Sequence, residues 1–405
     1  MIEAIWFLIV TPALFGLMAR LIRGRAVAVK VAILIAPLAL SLFAAVAIVQ
    51  TTGSGFEAAT PRGAILLMRL NMAKALFLIP STILLLLALL VKAVGVTGAL
   101  PGKIYGSFAI IWIAAMIIMG YGKYYERFNF RVEEVTIKID QLPEALNGLK
   151  IVHLSDMHLG SFHRKEKQLG RMTAMIDSLE PDLIFNTGDF ITLGHKEFGE
   201  KEAILSGYRA KYGKFAVLGN HDIGTYLDNA ASEDIDLTIQ ELSGKIEASG
   251  YTLLNNESVT VEIGGKQVLV AGVETRGRHP EIVHFEPKHL IPDSTLFPLT
   301  IMASHDPNHW DTIRESYPEV DITLSGHTHG MQFGILAGRL RWSPSARSYP
   351  RWNGLYREGE RYLYVNRGIG VLGLPIRVGM PPEITILRIE GGNYGYSDKK
   401  TGSEP

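Results

Sequence analysis

Residues 149–158 read Leu149-Lys150-Ile151-Val152-His153-Leu154-Ser155-Asp156-Met157-His158, an apolar run closed by a carboxylate and an imidazole two positions apart. A short apolar run bounded by polar residues reads as a buried strand, and strand ends are where sheet proteins gather functional side chains. The pattern recurs down the chain. Leu183-Ile184-Phe185 leads to Gly188-Asp189, and Phe215-Ala216-Val217-Leu218 to Gly219-Asn220-His221-Asp222. Leu299-Thr300-Ile301-Met302 leads to Ser304-His305-Asp306, and Asp321-Ile322-Thr323-Leu324 to Gly326-His327-Thr328-His329. On an extended strand end, residues two apart share a side, so Asp156 pairs with His158 and His327 with His329. Gly326 leaves its turn room to bring both imidazoles inward.

Between these strands the pattern turns helical at 164–179, 233–248 and 307–315. Further strand-like runs fall at 251–254, 258–263, 267–273, 361–365 and 383–389, with Gly264-Gly265 and Gly359-Glu360 suited to hairpins. The segment 131–140 sets Val132, Val135, Ile137 and Ile139 among charges and reads as a strand leading into the domain. Strands alternating with helices predict an α/β domain of two packed sheets flanked by helices, α/β/β/α in layers.

The 405 residues are 47% hydrophobic with a mean hydropathy of +0.17, and the apolar excess sits at the amino end. Uncharged stretches at 4–19, 31–56, 75–91 and 104–122 could each cross a hydrocarbon core of about 30 Å, the first and third only marginally, since about 17–25 residues are needed. Lys74, Lys92, Lys103 and Lys123 bracket them as interfacial anchors do, and Pro12, Pro37 and Pro80 are tolerated where neighbouring helices re-satisfy freed carbonyls. The expected organisation is a four-helix transmembrane region over 1–122, a juxtamembrane linker and lead-in strand over 123–148, a catalytic domain over 149–392 and a disordered tail over 393–405. Arg20, Arg23, Arg25 and Lys30 place the first connection in the cytoplasm, so four spans leave the catalytic domain extracytoplasmic. Formal net charge is zero without a basic stripe, which argues against nucleic acid as a partner, and nothing points to a protein partner. The chain has no cysteine, which excludes disulfides and thiolate ligands.

Hydrolysing a phosphate ester needs a water made nucleophilic at neutral pH and neutralisation of charge on the leaving oxygen. Two divalent ions about 3.5–4 Å apart supply both. Asp156, His158, Asp189, Asn220, His305, His327 and His329 offer the hard oxygen and imidazole ligands such a pair needs.

Asp-x-His, Gly-Asp, Gly-Asn-His-Asp, a lone His and Gly-His-x-His in this order resemble the calcineurin-like metallophosphoesterase superfamily over residues 149–389. Gly326-His327-Thr328-His329-Gly330, Arg367-Gly368-Ile369-Gly370 and Gly373-Leu374-Pro375-Ile376-Arg377 are similar to a membrane-associated bacterial subgroup with transmembrane helices. The resemblance implies a two-sheet α/β/β/α metallophosphoesterase sandwich. It assigns Asp156, His158 and His329 to one metal and Asn220, His305 and His327 to the other, with Asp189 bridging. The two divalent ions would be drawn from Mn, Fe, Zn or Co. His221 would protonate the leaving oxygen or clamp the phosphate, oriented by a nearby carboxylate, for which Asp222 is nearest. The function implied is an integral membrane hydrolase of the bacterial inner or cell membrane. It cleaves phosphodiester or pyrophosphate bonds in a phosphorylated small molecule or lipid through metal-activated water. A UDP-2,3-diacylglucosamine-type pyrophosphate hydrolase of lipid A synthesis is the specific alternative, and a non-catalytic membrane sensor keeping the metal fold is the alternative of another class.

One departure matters. Where the superfamily's protein phosphatases carry a second Asp followed by Arg, this chain has Thr192-Leu193, which speaks against a phosphoprotein substrate. Arg276 and Arg278 are candidate anchors for a substrate phosphate, since guanidinium forks suit that geometry. His153, His163, His195, His279, His284, His289 and His309 lack a metal-like partner at fixed spacing and read as structural or surface residues.

Overall fold

The computed structural model describes residues 60–80, 83, 87, 90, 91, 93–95, 100–223, 226, 232–275, 290–292, 297–338 and 340–392. The first strands are β1 (Arg131–Asp140), β2 (Leu149–Leu154), β3 (Leu183–Asn186), β4 (Gly213–Ala216) and β5 (Thr252–Leu253). Next come β6 (Glu257–Ile263), β7 (Lys266–Val273), β8 (Thr300–Ser304), β9 (Ile322–Ser325) and a small hairpin, β10 (Ile335–Ala337) with β11 (Leu340–Trp342). β12 (Gly354–Glu358), β13 (Arg361–Val365) and β14 (Glu383–Gly392) complete the set. Apart from the β10-β11 hairpin, which pairs only with itself, these strands form two six-stranded sheets, ordered β1-β14-β2-β3-β4-β5 and β12-β13-β9-β8-β7-β6.

Apolar alternation explains the stacking. Ile151, Leu183, Phe185 and Phe215 of the first sheet meet Val268, Val270, Ile301 and Leu324 of the second in one buried layer. The intervening residues Val152, Leu154 and Ile184 face outward against helix residues Leu169, Met172 and Ile176. On the far face Ala271, Val273 and Met302 pack against Ile313 and Tyr317. Sheets with both faces covered carry near-continuous apolar runs, and these strands do. The predicted hairpin turn holds: β6 and β7 pair antiparallel around Gly264 and Gly265, both at positive φ (57° and 74°), as a two-residue turn between twisted strands requires.

β2, β3 and β4 run parallel, as do β7, β8, β9 and β13, so their carboxyl ends gather at one rim. The predicted lead-in strand is β1, and it pairs parallel with β14 along its whole length. It is thus an edge strand of the first sheet.

Among the described residues, two long α-helices lie ahead of the sheets. α1 (Pro61–Ala73) begins with Thr60 accepting the Gly63 amide and Pro61 in its first turn, the usual signals of a helix start. α2 (Leu100–Tyr124) corresponds to the fourth predicted span, and residues 106–128 are long and apolar enough to cross a membrane. It is the one such helix among the described residues. The predicted spans at 4–19 and 31–56 and the tail at 393–405 lie outside the described residues, and that at 75–91 is described only in part. α1 packs directly on the turn Leu159–Phe162 that follows His158, where a Cβ on Gly160 would lie 2.9 Å from that of Ala64.

Candidate metal centre

Asp156, His158, Asp189, Asn220, His305, His327 and His329 converge where the parallel strands end. The ligating atoms of Asp156, His158, Asp189 and His329 all lie within 4.8 Å of one another, and so do those of Asp189, His305 and His327. Asp189 belongs to both groups. Its Oδ2 is 3.2 Å from His305 Nε2 and 3.7 Å from His158 Nε2. Asp156 Oδ1 is 3.2 Å from His329 Nε2, which is 3.1 Å from His158 Nε2. Asn220 turns its Oδ1 to His305 Nε2 at 3.1 Å, while its amide nitrogen donates to the Tyr226 hydroxyl at 2.8 Å.

The backbone is bent to achieve this. Asp156, His158, Asp189, His327 and His329 all have φ between 40° and 68°, the left-handed region that non-glycine residues rarely adopt. Such conformations cost about 1–3 kcal/mol each and cluster at functional sites. Small residues make room. A Cβ on Gly219 would lie 2.2 Å from Asp189 Oδ1, and one on Gly368 would lie 2.6 Å from Asp156 Cβ. At Gly326 it would fall 1.8 Å from Ser155 Oγ and 2.4 Å from Asp156 Oδ2. The room that Gly326 leaves is thus taken first by the Ser155 side chain and then by the Asp156 carboxylate, and not by the imidazoles as expected.

Electrostatics fit a cation. Burial alone would raise Asp156 and Asp189, yet the surrounding imidazoles hold both carboxyls below the usual range. Burial opposes charge on His305, but Asp189 and Asp156 outweigh it and lift the imidazole to about 10. Burial takes His327 down to about 4, and holds His158 well below its ordinary value with help from His329. The carboxylates thus demand positive charge, which a protonated His305 supplies when no cation is bound; a bound cation would take over that role and leave His305 neutral like His158 and His327, as a ligand must be. Oxygen and imidazole donors without thiolate suit Mn, Fe, Zn or Co.

Three residues stand behind the ligands in a role the sequence did not assign to them. Thr192 Oγ1 sits 3.1 Å from His158 Nδ1, and the Tyr349 hydroxyl 2.7 Å from His327 Nε2. Arg377 is fully buried and donates to the carbonyls of Arg367, Gly368, Gly370 and Met380, with Nη2 3.5 Å from His329 Nδ1. The Thr192 and Tyr349 oxygens can accept a ring N–H and so fix the tautomer and ring plane of a ligating histidine, whereas the Arg377 guanidinium, which only donates, packs behind His329 at the limit of hydrogen-bond distance. Tyr349 lies outside every segment that carries the resemblance, and Arg377, although it closes the Gly373–Arg377 segment, has no spacing that ties it to His329.

His221 stands beside the cluster, stacked on Tyr226 with ring centroids 4.1 Å apart and edge-on to His158 at 5.2 Å. Its Nδ1 lies 2.7 Å from the Thr192 carbonyl oxygen, which can only accept. Nδ1 therefore carries hydrogen and Nε2 is the nitrogen free to work. The expected orienting carboxylate is not Asp222. Asp222 Oδ2 accepts the amides of Asp189 (2.7 Å) and Gly219 (2.9 Å), and Oδ1 accepts that of Ile191 (3.1 Å). Burial, then the charge of Asp189, pushes its carboxyl up to about 8. It pins the two loops that carry Asp189 and Asn220 to each other. Glu197 braces the same region by accepting the Thr192 and Leu193 amides at 3.1 and 2.6 Å.

Arg276 and Arg278 lie outside the described residues, with His279, His284 and His289. His153 and His309 are buried and partnered by Thr187 and Ser304 hydroxyls, and His195 reaches Thr238 at 3.4 Å.

Comparison with known proteins gives the family. The family model for calcineurin-like phosphoesterases matches residues 149–331. The UDP-2,3-diacylglucosamine pyrophosphatase LpxG of Chlamydia muridarum is 30% identical over 290 residues, covering 60% of this chain and 84% of that protein. The chain belongs to the calcineurin-like phosphoesterase family. A metallophosphoesterase of Bacillus subtilis, YkuE, is 29% identical over 284 residues, 68% of this chain and 90% of that one. A zebrafish (Danio rerio) transmembrane protein with a metallophosphoesterase domain is 29% identical over 266 residues, 63% of this chain and 56% of its own length. Family and site together make this calcineurin-like chain a metal-dependent phosphoester hydrolase with a buried Asp/His group able to bind metal ions. Its relatives include proteins named for the membrane.

Proposed function

We propose that the protein is a membrane-anchored, dinuclear-metal phosphohydrolase that cleaves a phosphodiester or pyrophosphate bond in a lipid-linked substrate. The observation that carries the dinuclear reading is the pair of ligand groups sharing Asp189. In this reading Asp156, His158 and His329 hold one ion, Asn220, His305 and His327 the other, and Asp189 bridges. When bound, such a pair lowers the pKa of water and neutralises charge on the phosphate. The protein's own part is positional. Asp222 and the close-packed glycines hold the ligand loops against each other. His221, whose Nδ1–H is held by the Thr192 carbonyl, leaves Nε2 for the leaving oxygen; burial keeps the free ring neutral, and Nε2 serves as acid or phosphate donor once a bound phosphate has made the ring an imidazolium. Loss of the second Asp at Thr192 favours small or lipid phosphates over phosphoproteins.

Kinship with LpxG and an exposed apolar helix beside the catalytic domain support a lipid-linked substrate. A pyrophosphate bond of the UDP-2,3-diacylglucosamine type is the specific case to try first. The domain division at 122, 148 and 392 and an extracytoplasmic catalytic domain belong to the same proposal, and protease accessibility in sealed vesicles checks the orientation. The deciding experiment gives the purified full chain a panel of phosphomonoester, phosphodiester and lipid-pyrophosphate substrates with Mn, Fe, Zn or Co added back. Hydrolysis confined to soluble phosphomonoesters would refute the lipid reading. His221→Ala should retain metal yet lose about 10²–10⁴-fold in rate; full activity would remove His221 from the mechanism.

A further inference from the structure

A cleft of about 500 Å³ lies between α1, α2 and the catalytic domain, away from the metal ligands. Arg69, Lys123, Arg127 and Lys165 line one part of it, and Ile65, Met72, Leu76 and Met116 another. No carboxylate lines it, and none of the four cations makes an ion pair among the described residues. Arg127 is the telling member. It is only 4% exposed, and its guanidinium has just the carbonyls of Ser161 (2.6 Å) and Pro375 (3.3 Å) as hydrogen-bond acceptors, with the Phe128 ring beside it. A guanidinium buried among other cations without a counter-charge is costly, and an anion would relieve it.

The helix that gives the cleft Met116, Gly120 and Lys123 identifies what carries that anion, through exposed residues that, Tyr124 apart, lie outside the cleft itself. Ile110, Ile111 and Ile117 on α2 are 71%, 67% and 67% exposed, on the helix long and apolar enough to cross a membrane. Tyr121, Tyr124 and Tyr125, also exposed, follow where the helix meets the domain. Tyrosines at such a boundary sit at the level of lipid headgroups. The cations therefore stand at headgroup depth and the apolar residues on the hydrocarbon side.

We propose that this cleft binds an acylated phosphate, with the phosphate against Arg69, Arg127, Lys123 and Lys165 and an acyl chain along Met72, Leu76 and Met116. The site is distinct from the metal centre and does not depend on which bond the enzyme hydrolyses. It is nonetheless joined to the centre. Ser161 lies in the turn that follows His158, and Pro375 in the loop of Arg377, whose guanidinium reaches His329. That loop is clamped to the helices: the Asn71 side chain donates to the Gly373 carbonyl at 3.2 Å, and a Cβ on Gly122 would lie 2.6 Å from the Arg377 carbonyl oxygen.

The test titrates the full-length, metal-loaded protein in a neutral-detergent micelle with monoacylglycerol phosphate, monoacylglycerol phosphocholine and inorganic phosphate. The expected order is tightest for the acyl phosphate, at least about tenfold weaker for the zwitterion and weaker still for inorganic phosphate. The double variant Arg69→Gln/Lys165→Gln alters exposed side chains, so it should fold, and should lose about tenfold or more in affinity for the acyl phosphate. His305→Ala, which damages the metal centre, should leave that affinity unchanged. Equal binding of inorganic phosphate or of the zwitterion overturns the proposal. So does loss of binding in His305→Ala with retention in the double variant, which would put the ligand in the metal centre.

Discussion

Gly219→Ala adds one carbon to the loop carrying Asn220 and His221. The new Cβ would lie 2.2 Å from Asp189 Oδ1 and 2.7 Å from the Asp189 amide nitrogen, where ordinary contact begins near 3.4 Å. Backbone and carboxylate must therefore part by about 1 Å, and a displacement of that size at a reacting centre costs roughly 10²-fold in rate. Asp189 has little freedom to yield. Oδ1 already accepts the His221 amide at 2.9 Å, Oδ2 faces two imidazoles, and its own amide is held by Asp222. We expect kcat/KM to fall about a hundredfold, less metal to be retained after dialysis than by the unaltered protein, and about 1–3 kcal/mol of stability to be lost to overpacking. Metal analysis, hydrolysis of a chromogenic phosphodiester and urea unfolding read the three quantities. Gly244→Ala is the control, because nothing lies within 4 Å of its added Cβ. Gly244 sits within the helix Ser232–Ala248, so alanine there should stabilise by about 0.5–1 kcal/mol and leave activity alone. Gly219→Ala with full metal content and unchanged kcat/KM would refute the claim that close packing of this loop positions Asp189.

Thr192→Val removes the hydroxyl facing His158 Nδ1 but keeps the carbonyl that holds His221. Metal affinity should drop about 10–100-fold while kcat at saturating metal changes far less, which a manganese titration of activity checks. Tyr349→Phe should do the same through His327, and unaltered affinity in both variants would show the rings to be held by packing alone. Asp321 is remote from the metal ligands and accepts the Thr300 amide at 2.7 Å; burial pushes its carboxyl up from 3.8 to about 6. A carboxyl with a raised folded-state pKa costs nothing below its unfolded value and its full penalty above the folded one, so this group erodes stability as pH rises from about 4 to 6. Asp321→Asn should therefore match the native protein in thermal stability at pH 4 and exceed it at pH 7; equal melting temperatures at both pH values would contradict this.

Much of the centre was legible because its ligands are local events at strand ends. Asp156 follows two residues after β2, Asp189 three after β3 and His327 two after β9, and each sits beside a glycine or a sharp turn that chemistry of this kind needs. Strand bounds read from apolar runs shifted by a residue or two, as at β4, because the apolar run continues past the last sheet pairing into the ligand loop. What local sequence cannot encode is which distant loop closes behind a ligand. Tyr349 meets His327 across 22 residues and Arg377 meets His329 across 48, and β1 finds its partner at the far end of the chain.

Adjacency misled at Asp222 for a related reason. Successive residues on a tight turn point apart, so the carboxylate next to His221 in sequence folds back onto the Asp189 and Ile191 amides, while the imidazole faces Thr192. Thr192 read as a loss, a missing second aspartate. In the fold it serves both histidines at once: its hydroxyl meets His158 and its carbonyl fixes His221. The carbonyl does for the His221 tautomer what a side-chain carboxylate would do, but without adding a negative charge beside an incoming phosphate. A diester or pyrophosphate that already brings its own charge to this buried site meets less repulsion with threonine here than with aspartate. Thr192→Asp is therefore expected to raise KM for a diester substrate more than it lowers kcat, and a lowered KM would reverse the argument.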